Sequence, residues 1–121
     1  MTPRYDARTD ANQAEIVDVW SRCGFWVLDL SKAAATFSFV RREKRVHGGI
    51  SDLLVWMGPV GAFVEVKAEG GRIEGSEEAF LSECAEHGVH GFIEFTLEDA
   101  LRDALWLRNV AIAAQRGIRG R

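Results

Sequence analysis

DLLVWMGPVGAFVEVKA, residues Asp52 to Ala68, decides how this chain folds. Two apolar runs, Leu53 to Met57 and Ala62 to Ala68, flank Gly58-Pro59-Val60-Gly61, a turn-forming tetrapeptide of hairpin length, so the stretch reads as a β-hairpin. Side chains alternate along a strand, which sets Phe63, Glu65 and Lys67 on one face and Ala62, Val64, Val66 and Ala68 on the other. Asp52 stands where the first arm begins, and antiparallel pairing across the turn brings its carboxylate near that of Glu65. Two acids and a lysine then converge. Hard cations such as Mg²⁺ take oxygen ligands, commonly one or two carboxylates with water and substrate phosphate, and would relieve the repulsion between the acids. A solvent-facing strand with a Glu–Lys pair, and an Asp at a turn, fits the same spacing.

Working outward, the segments on either side read as helices and further strands. Residues 1 to 9 read as a loose, flexible polar leader, and Asp10 caps a helix to about Arg22, with Gln13 reaching back. Its apolar stripe is Ile16, Val19, Trp20 and Cys23, with Glu15 near the edge of that stripe. Gly24 ends it. Phe25 to Leu30 is a strand candidate, and Thr36 to Val40 is a weaker one. Beyond the hairpin, Gly70 and Gly71 break the chain. Ser76 is placed to cap a helix from Glu77 to His87 that buries Phe80, Leu81, Cys84 and Ala85. Val89 to Phe95 is a strand. Thr96 caps a final helix carrying Leu97, Leu101, Leu105, Val110 and Ile112 that stops before Gly117, leaving 116–121 as a basic tail. With no repeat and no linker, residues 1–121 make one α/β domain.

Bulk properties narrow the class. A 121-residue chain that is 47% hydrophobic, with four Trp and seven Phe, can bury a core. No apolar run approaches the roughly 18 residues of a membrane span, so no membrane role is expected. Cys23 and Cys84 are far apart, and Met1 to Asp10 lack the apolar centre of a secretion signal, so free thiols and a cytoplasmic location are expected. The net charge of −3 argues weakly against nucleic acid, yet its distribution does not. Arg41, Arg42, Lys44 and Arg45 lie within five residues, and Arg116, Arg119 and Arg121 end the chain. The glycine pairs lack a following Gly-Lys-Ser/Thr and read as turns rather than a nucleotide cradle. Cys84 and His87 form a C-x-x-H spacing without a second pair, so a core cysteine is the better reading than zinc. The four Trp sit among apolar neighbours, where packing is the default.

Four segments in order carry a family resemblance: DANQAEIV (Asp10 to Val17), GGISDLLVW (Gly48 to Trp56), FVEVKAEGGRI (Phe63 to Ile73) and SEEAFLSECAEHG (Ser76 to Gly88). They resemble the PD-(D/E)xK nuclease superfamily, and within it the small VRR-NUC and Holliday-junction-resolvase-like endonucleases common in phages. The resemblance implies a restriction-endonuclease-like core, a mixed central sheet flanked by helices. It implies Asp52 and Glu65 as metal-binding acids, Lys67 as the catalytic lysine, Glu15 as the helix acid completing the metal shell, and the Val66 carbonyl as a further ligand. Mg²⁺ or Mn²⁺ is the implied cofactor, and phosphodiester hydrolysis in DNA, including branched or junction DNA, the implied reaction. Products would carry 5′-phosphate and 3′-hydroxyl ends.

The basic run Arg41, Arg42, Lys44 and Arg45 with His47 lies just upstream of Asp52, where it would hold the phosphate backbone; Ser76 and Glu77 are the matching candidates on the following helix. Two departures stand out. Ser51 occupies the usual proline position, and Glu77 the position typical of glutamine, where a negative charge alters phosphate contacts or metal affinity. Residues 31 to 47 exceed the usual link in phage relatives. The apolar final helix suggests a homodimer, as small nucleases of this kind often form, in the host cytoplasm if phage-encoded. A partner protein in a phage or repair assembly would supply the target in a third reading. The competing class is a catalytically inactive nuclease-fold subunit that binds nucleic acid or assembles with a partner.

Overall fold

Ile16 and Trp20 along α1 (Ala7–Arg22), and Cys23 just past its last turn, recur at helical spacing and are buried, which is why this segment docks as a helix. The computed structural model describes residues 7–30 and 51–119. The expected strand Thr36 to Val40, the basic residues Arg41, Arg42, Lys44 and Arg45, His47 and Arg121 lie outside the described residues. Helix α1 starts at Ala7, ahead of the expected cap, so Asp10 lies inside the helix and 7–9 belong to it rather than to a leader. Gly24, at φ +97°, ends α1 as expected, since a left-handed residue after the last turn favours glycine.

The remaining described elements are β1 (Trp26–Asp29), β2 (Leu53–Met57), β3 (Val60–Val66), α2 (Gly75–Glu86), β4 (His90–Glu94) and α3 (Leu97–Arg119). The sheet order is β1-β2-β3-β4. The first two pairings are antiparallel and β3–β4 is parallel, so the sheet is mixed, with α2 as the crossover a parallel pair needs. The hairpin turn is tighter than the tetrapeptide predicted. Met57 pairs with Val60, leaving only Gly58 and Pro59 in the loop. Gly58 takes φ +57°, and proline cannot follow with a positive φ, which selects the glycine-led primed turn that matches strand twist. Gly61 joins the strand because the Trp56 ring lies over it: a Cβ there would stand 2.0 Å from the ring.

Two layers cover the sheet. Leu53, Val55, Ala62, Val64 and Val66 face α1 and α3, meeting Ile16, Trp20, Ala100, Ala104 and Leu107. On the other face Phe63 meets Phe80 of α2 edge-on at 5.0 Å, and Leu81 closes on Gly91. Helix α3 corrects the expected stripe. It buries Ala100, Ala104, Leu107 and Ala111, while Leu97, Leu101 and Leu105 stay exposed, because small side chains let the helix approach α1 and the sheet closely. It also runs through Gly117 to Arg119. Cys84 is a buried free thiol, as expected, but Ala85 is exposed. Of the tryptophans only Trp20 is buried; Trp26, Trp56 and Trp106 are exposed. No described helix is long and apolar enough to cross a membrane.

Candidate active site

The pairing of Leu53 with Val64 sets the next residue of each strand opposite the other, so Asp52 meets Glu65 where the hairpin opens. Backbone bonds hold that end rigid. Asp52 accepts the Val66 N–H through Oδ2 at 2.9 Å, and its own carbonyl accepts the Leu30 N–H at 2.8 Å. Lys67 donates its N–H to the Glu94 carbonyl at 2.9 Å, continuing the ladder to β4. Asn12 of α1 donates to the carbonyls of Lys67 (2.7 Å) and Phe95 (3.0 Å), tying the ends of β3 and β4 together.

On the α2 side of the sheet, a chain of carboxyl groups surrounds one ammonium. Glu65 hydrogen-bonds both Asp52 and Glu77. The Lys67 Nζ lies 2.6 Å from Glu77 Oε1 and 3.9 Å from Glu65 Oε2, with both Lys67 and Glu77 side chains 14% exposed. Burial pushes the Glu65 carboxyl up to about 10, helped by its bond to Glu77 and by the Asp52 charge. Asp52 is raised by burial too, against the opposing pull of the Val66 amide and the Glu65 hydrogen bond. Glu77 moves the other way. Burial pushes it upward, but its bonds to Glu65, to Lys67 and to the Glu74 amide hold it below the usual range. Glu65 is therefore the carboxyl of the three that binds a proton most tightly, in a cluster short of positive charge. That shortage fits a hard divalent cation on the Asp52 and Glu65 oxygens, which would replace the proton.

The structure thus brings Asp52, Glu65, Val66, Lys67 and Glu77 together. Glu15 is an exposed residue one turn beyond Asn12, lining a cleft of about 580 Å³ with Ala68, Glu69 and residues 95–98. Among the described residues no group of three acid, histidine or cysteine side chains is gathered tightly enough to hold a metal ion, so the acid pair is the seat on offer. Ser51 is buried at 2% exposure, with an Oγ that has no partner among the described residues. Ser76 does not cap α2. The helix begins at Gly75 with Glu74 as its N-cap, and Glu77 reaches back to accept the Glu74 N–H at 2.8 Å, leaving Ser76 exposed in the first turn.

Sequence reasoning missed Asn12 and Glu94. Asn12 lies four residues before Ile16 on the buried stripe, where a polar side chain needs a specific partner. Glu94 shares a strand face with Phe92 in an apolar run, which signals a buried acid.

The VRR-NUC domain model matches residues 11–93, spanning α1 to β4 and every residue of this cluster. A solved "VRR_NUC domain" structure is similar at 20% identity, covering 77% of this chain and 89% of that one with a TM-score of 0.59. A second, a "VRR_NUC domain protein", is similar at 15% identity over 84% of this chain and 88% of that one, with a TM-score of 0.64. No curated protein matches the chain. With the family match spanning most of the chain and both structural neighbours similar in fold, the chain belongs to the VRR-NUC family, a PD-(D/E)xK-like family of nuclease fold.

Proposed function

We propose that this protein is a Mg²⁺- or Mn²⁺-dependent endonuclease that hydrolyses phosphodiester bonds in DNA, with branched or junction DNA as the preferred form. The observation that carries the reading is the hydrogen-bonded Asp52–Glu65 pair at the open end of the hairpin, with Lys67 beside it. Asp52 and Glu65 would hold the cation, with the Val66 carbonyl and Glu15 as the further ligands the family resemblance implies. When bound, the cation supplies charge neutralisation at the scissile phosphate and acidifies water for attack. Lys67 stabilises the negative charge that grows on the phosphoryl oxygens, at a site whose half-buried setting strengthens that attraction over bulk water. Asp52 is oriented by the Val66 amide, and Lys67 is oriented through its backbone bond to β4 and its side-chain bond to Glu77.

We place Arg41, Arg42, Lys44, Arg45, His47 and Ser76 on the phosphate backbone of the DNA, and a second copy of the chain against α3. The exposed leucines at 97, 101 and 105 support that second part.

Plasmid and junction cleavage with Mg²⁺, Mn²⁺ or EDTA tests the reading. Wild type should cut only with metal. Asp52→Asn, which still offers Val66 an acceptor oxygen, and Lys67→Ala should each lose on the order of 10²-fold or more. Cutting that survives both substitutions locates the chemistry elsewhere, and DNA binding without cutting under every metal condition makes the chain an inactive nuclease-fold subunit.

A further inference from the structure

Lys67 has two carboxylates within reach, and it does not divide itself evenly between them. Its Nζ stands 2.6 Å from Glu77 Oε1, a full hydrogen bond, and 3.9 Å from Glu65 Oε2, beyond hydrogen-bond reach. The same Glu77 oxygen accepts the Glu74 N–H at 2.8 Å. Helix α2 thus grips the end of a flexible four-carbon side chain with a carboxylate that is itself fixed by the helix's first turn. Phe80, one turn further along α2, packs on Phe63, which lies on the same strand face as Glu65 and Lys67, so the grip is registered against β3. Both partners are largely shielded from solvent, where a charge-assisted bond is stronger than at an open surface.

We propose that Glu77 is a positioning residue: through the Glu74 amide it ties Lys67 to the start of α2 and fixes where that ammonium meets the scissile phosphate. The proposal deepens the nuclease reading and rests on it. It gives Glu77 a role in place of contact with the nucleic acid, since its oxygen is committed to Lys67 and to the helix cap. A glutamine at this position would keep the contacts to Lys67 and the Glu74 amide through its amide oxygen, while losing the charge and the second acceptor oxygen that faces Glu65.

The test uses the full chain and reads Lys67 directly as well as through activity. The protein has three lysines, Lys32, Lys44 and Lys67, so the ammonium resonances in a ¹⁵N-detected spectrum are assigned by comparison with Lys67→Arg. An ammonium held by a carboxylate exchanges its protons slowly enough to be seen, and the Lys67 signal should be present in the wild type, retained in Glu77→Gln and lost in Glu77→Ala. Glu77→Leu replaces Glu77→Ala should the latter not fold. With Mg²⁺ and DNA, Glu77→Ala should lower kcat by roughly 10- to 100-fold, the scale of a misplaced catalytic group, and leave KM and the magnesium requirement within about twofold. Glu77→Gln should recover most of the lost kcat. Persistence of the Lys67 signal in Glu77→Ala, an unchanged kcat, or a loss confined to KM or to the magnesium requirement each overturns the proposal. A wild type that shows the signal but cuts no DNA with any metal sinks the nuclease reading, and the positioning role with it. Wild-type cutting that Glu77→Ala matches sinks the positioning role alone.

Discussion

The Trp20 indole N–H donates to Glu94 Oε1 at 3.0 Å, which locks a wholly buried acid of the sheet to α1. The other oxygen, Glu94 Oε2, and Asp103 Oδ2 of α3 are both buried with no other partner among the described residues, and the two side chains adjoin. A proton held on Glu94 would give that oxygen a donor toward Asp103. Burial, the bond to Asp103 and the nearby Asp103 and Asp99 charges push Glu94 up to about 9. A folded pKa above the unfolded one means that the native state binds the extra proton. This contribution is therefore fully present below the ordinary glutamate range and is lost as pH rises through about 9. The slope from this group approaches about 1.4 kcal/mol per pH unit inside that window. Glu94→Gln keeps an acceptor for Trp20 and a donor for Asp103. In urea unfolding from pH 5 to 9 it should flatten the slope, and an unchanged slope would remove Glu94 as its source.

Glu65 would give the proposed metal seat a measurable proton signature. Its carboxyl is pushed up to about 10, so at pH 7.5 a cation seated on Asp52 and Glu65 must expel a proton. Titration calorimetry of Mg²⁺ or Mn²⁺ in buffers of different ionisation enthalpy should show close to one proton released. Apparent affinity should rise nearly tenfold per pH unit between 6 and 9. Binding without proton release would place the ion away from Glu65.

Gly61 is read as obligatory because its neighbour uses its empty face. An added methyl would sit 2.0 Å from the Trp56 ring, so Gly61→Ala must expel the indole and break the Trp56 Nε1 bond to the Gly58 carbonyl. Overpacking of this kind costs about 1–3 kcal/mol. A red-shifted tryptophan emission with a lowered melting temperature is expected; unchanged emission would contradict the packing.

Leu97, Leu101 and Leu105 form an exposed stripe on α3. If a second copy covers it, Leu101→Glu should convert a dimer to a monomer in light scattering at micromolar concentration without lowering the monomer's stability by more than about 0.5 kcal/mol, the usual cost of a surface change. A wild type that is monomeric at every concentration ends the dimer proposal.

The hairpin was legible from the residues because strand periodicity and a Gly-Pro turn act locally, but its register was not, since the loop closes on Gly58-Pro59 alone and Val60 and Gly61 join the strand. Helices α1 and α2 were legible in their cores but not at their starts. Glu74 displaced Ser76 as the cap because Glu77 bonds back to it, and α1 extends ahead of Asp10. The apolar stripe of α3 was misread: Leu97, Leu101 and Leu105 look like core by hydrophobicity, but the alanines let the helix pack closely. Asn12 and Glu94 were hidden for a related reason, since a buried polar group is explained only by a partner more than fifty residues away.

By itself the sequence determined the two arms of the hairpin, the presence of a turn between them and the acid–lysine spacing, because backbone geometry converts local order into side-chain facing without outside help. Tertiary structure decided which acid holds the lysine, which carboxyl keeps its proton and which leucines stay bare. Those outcomes depend on burial and on charges brought together from distant segments, and neither quantity exists until the chain has folded.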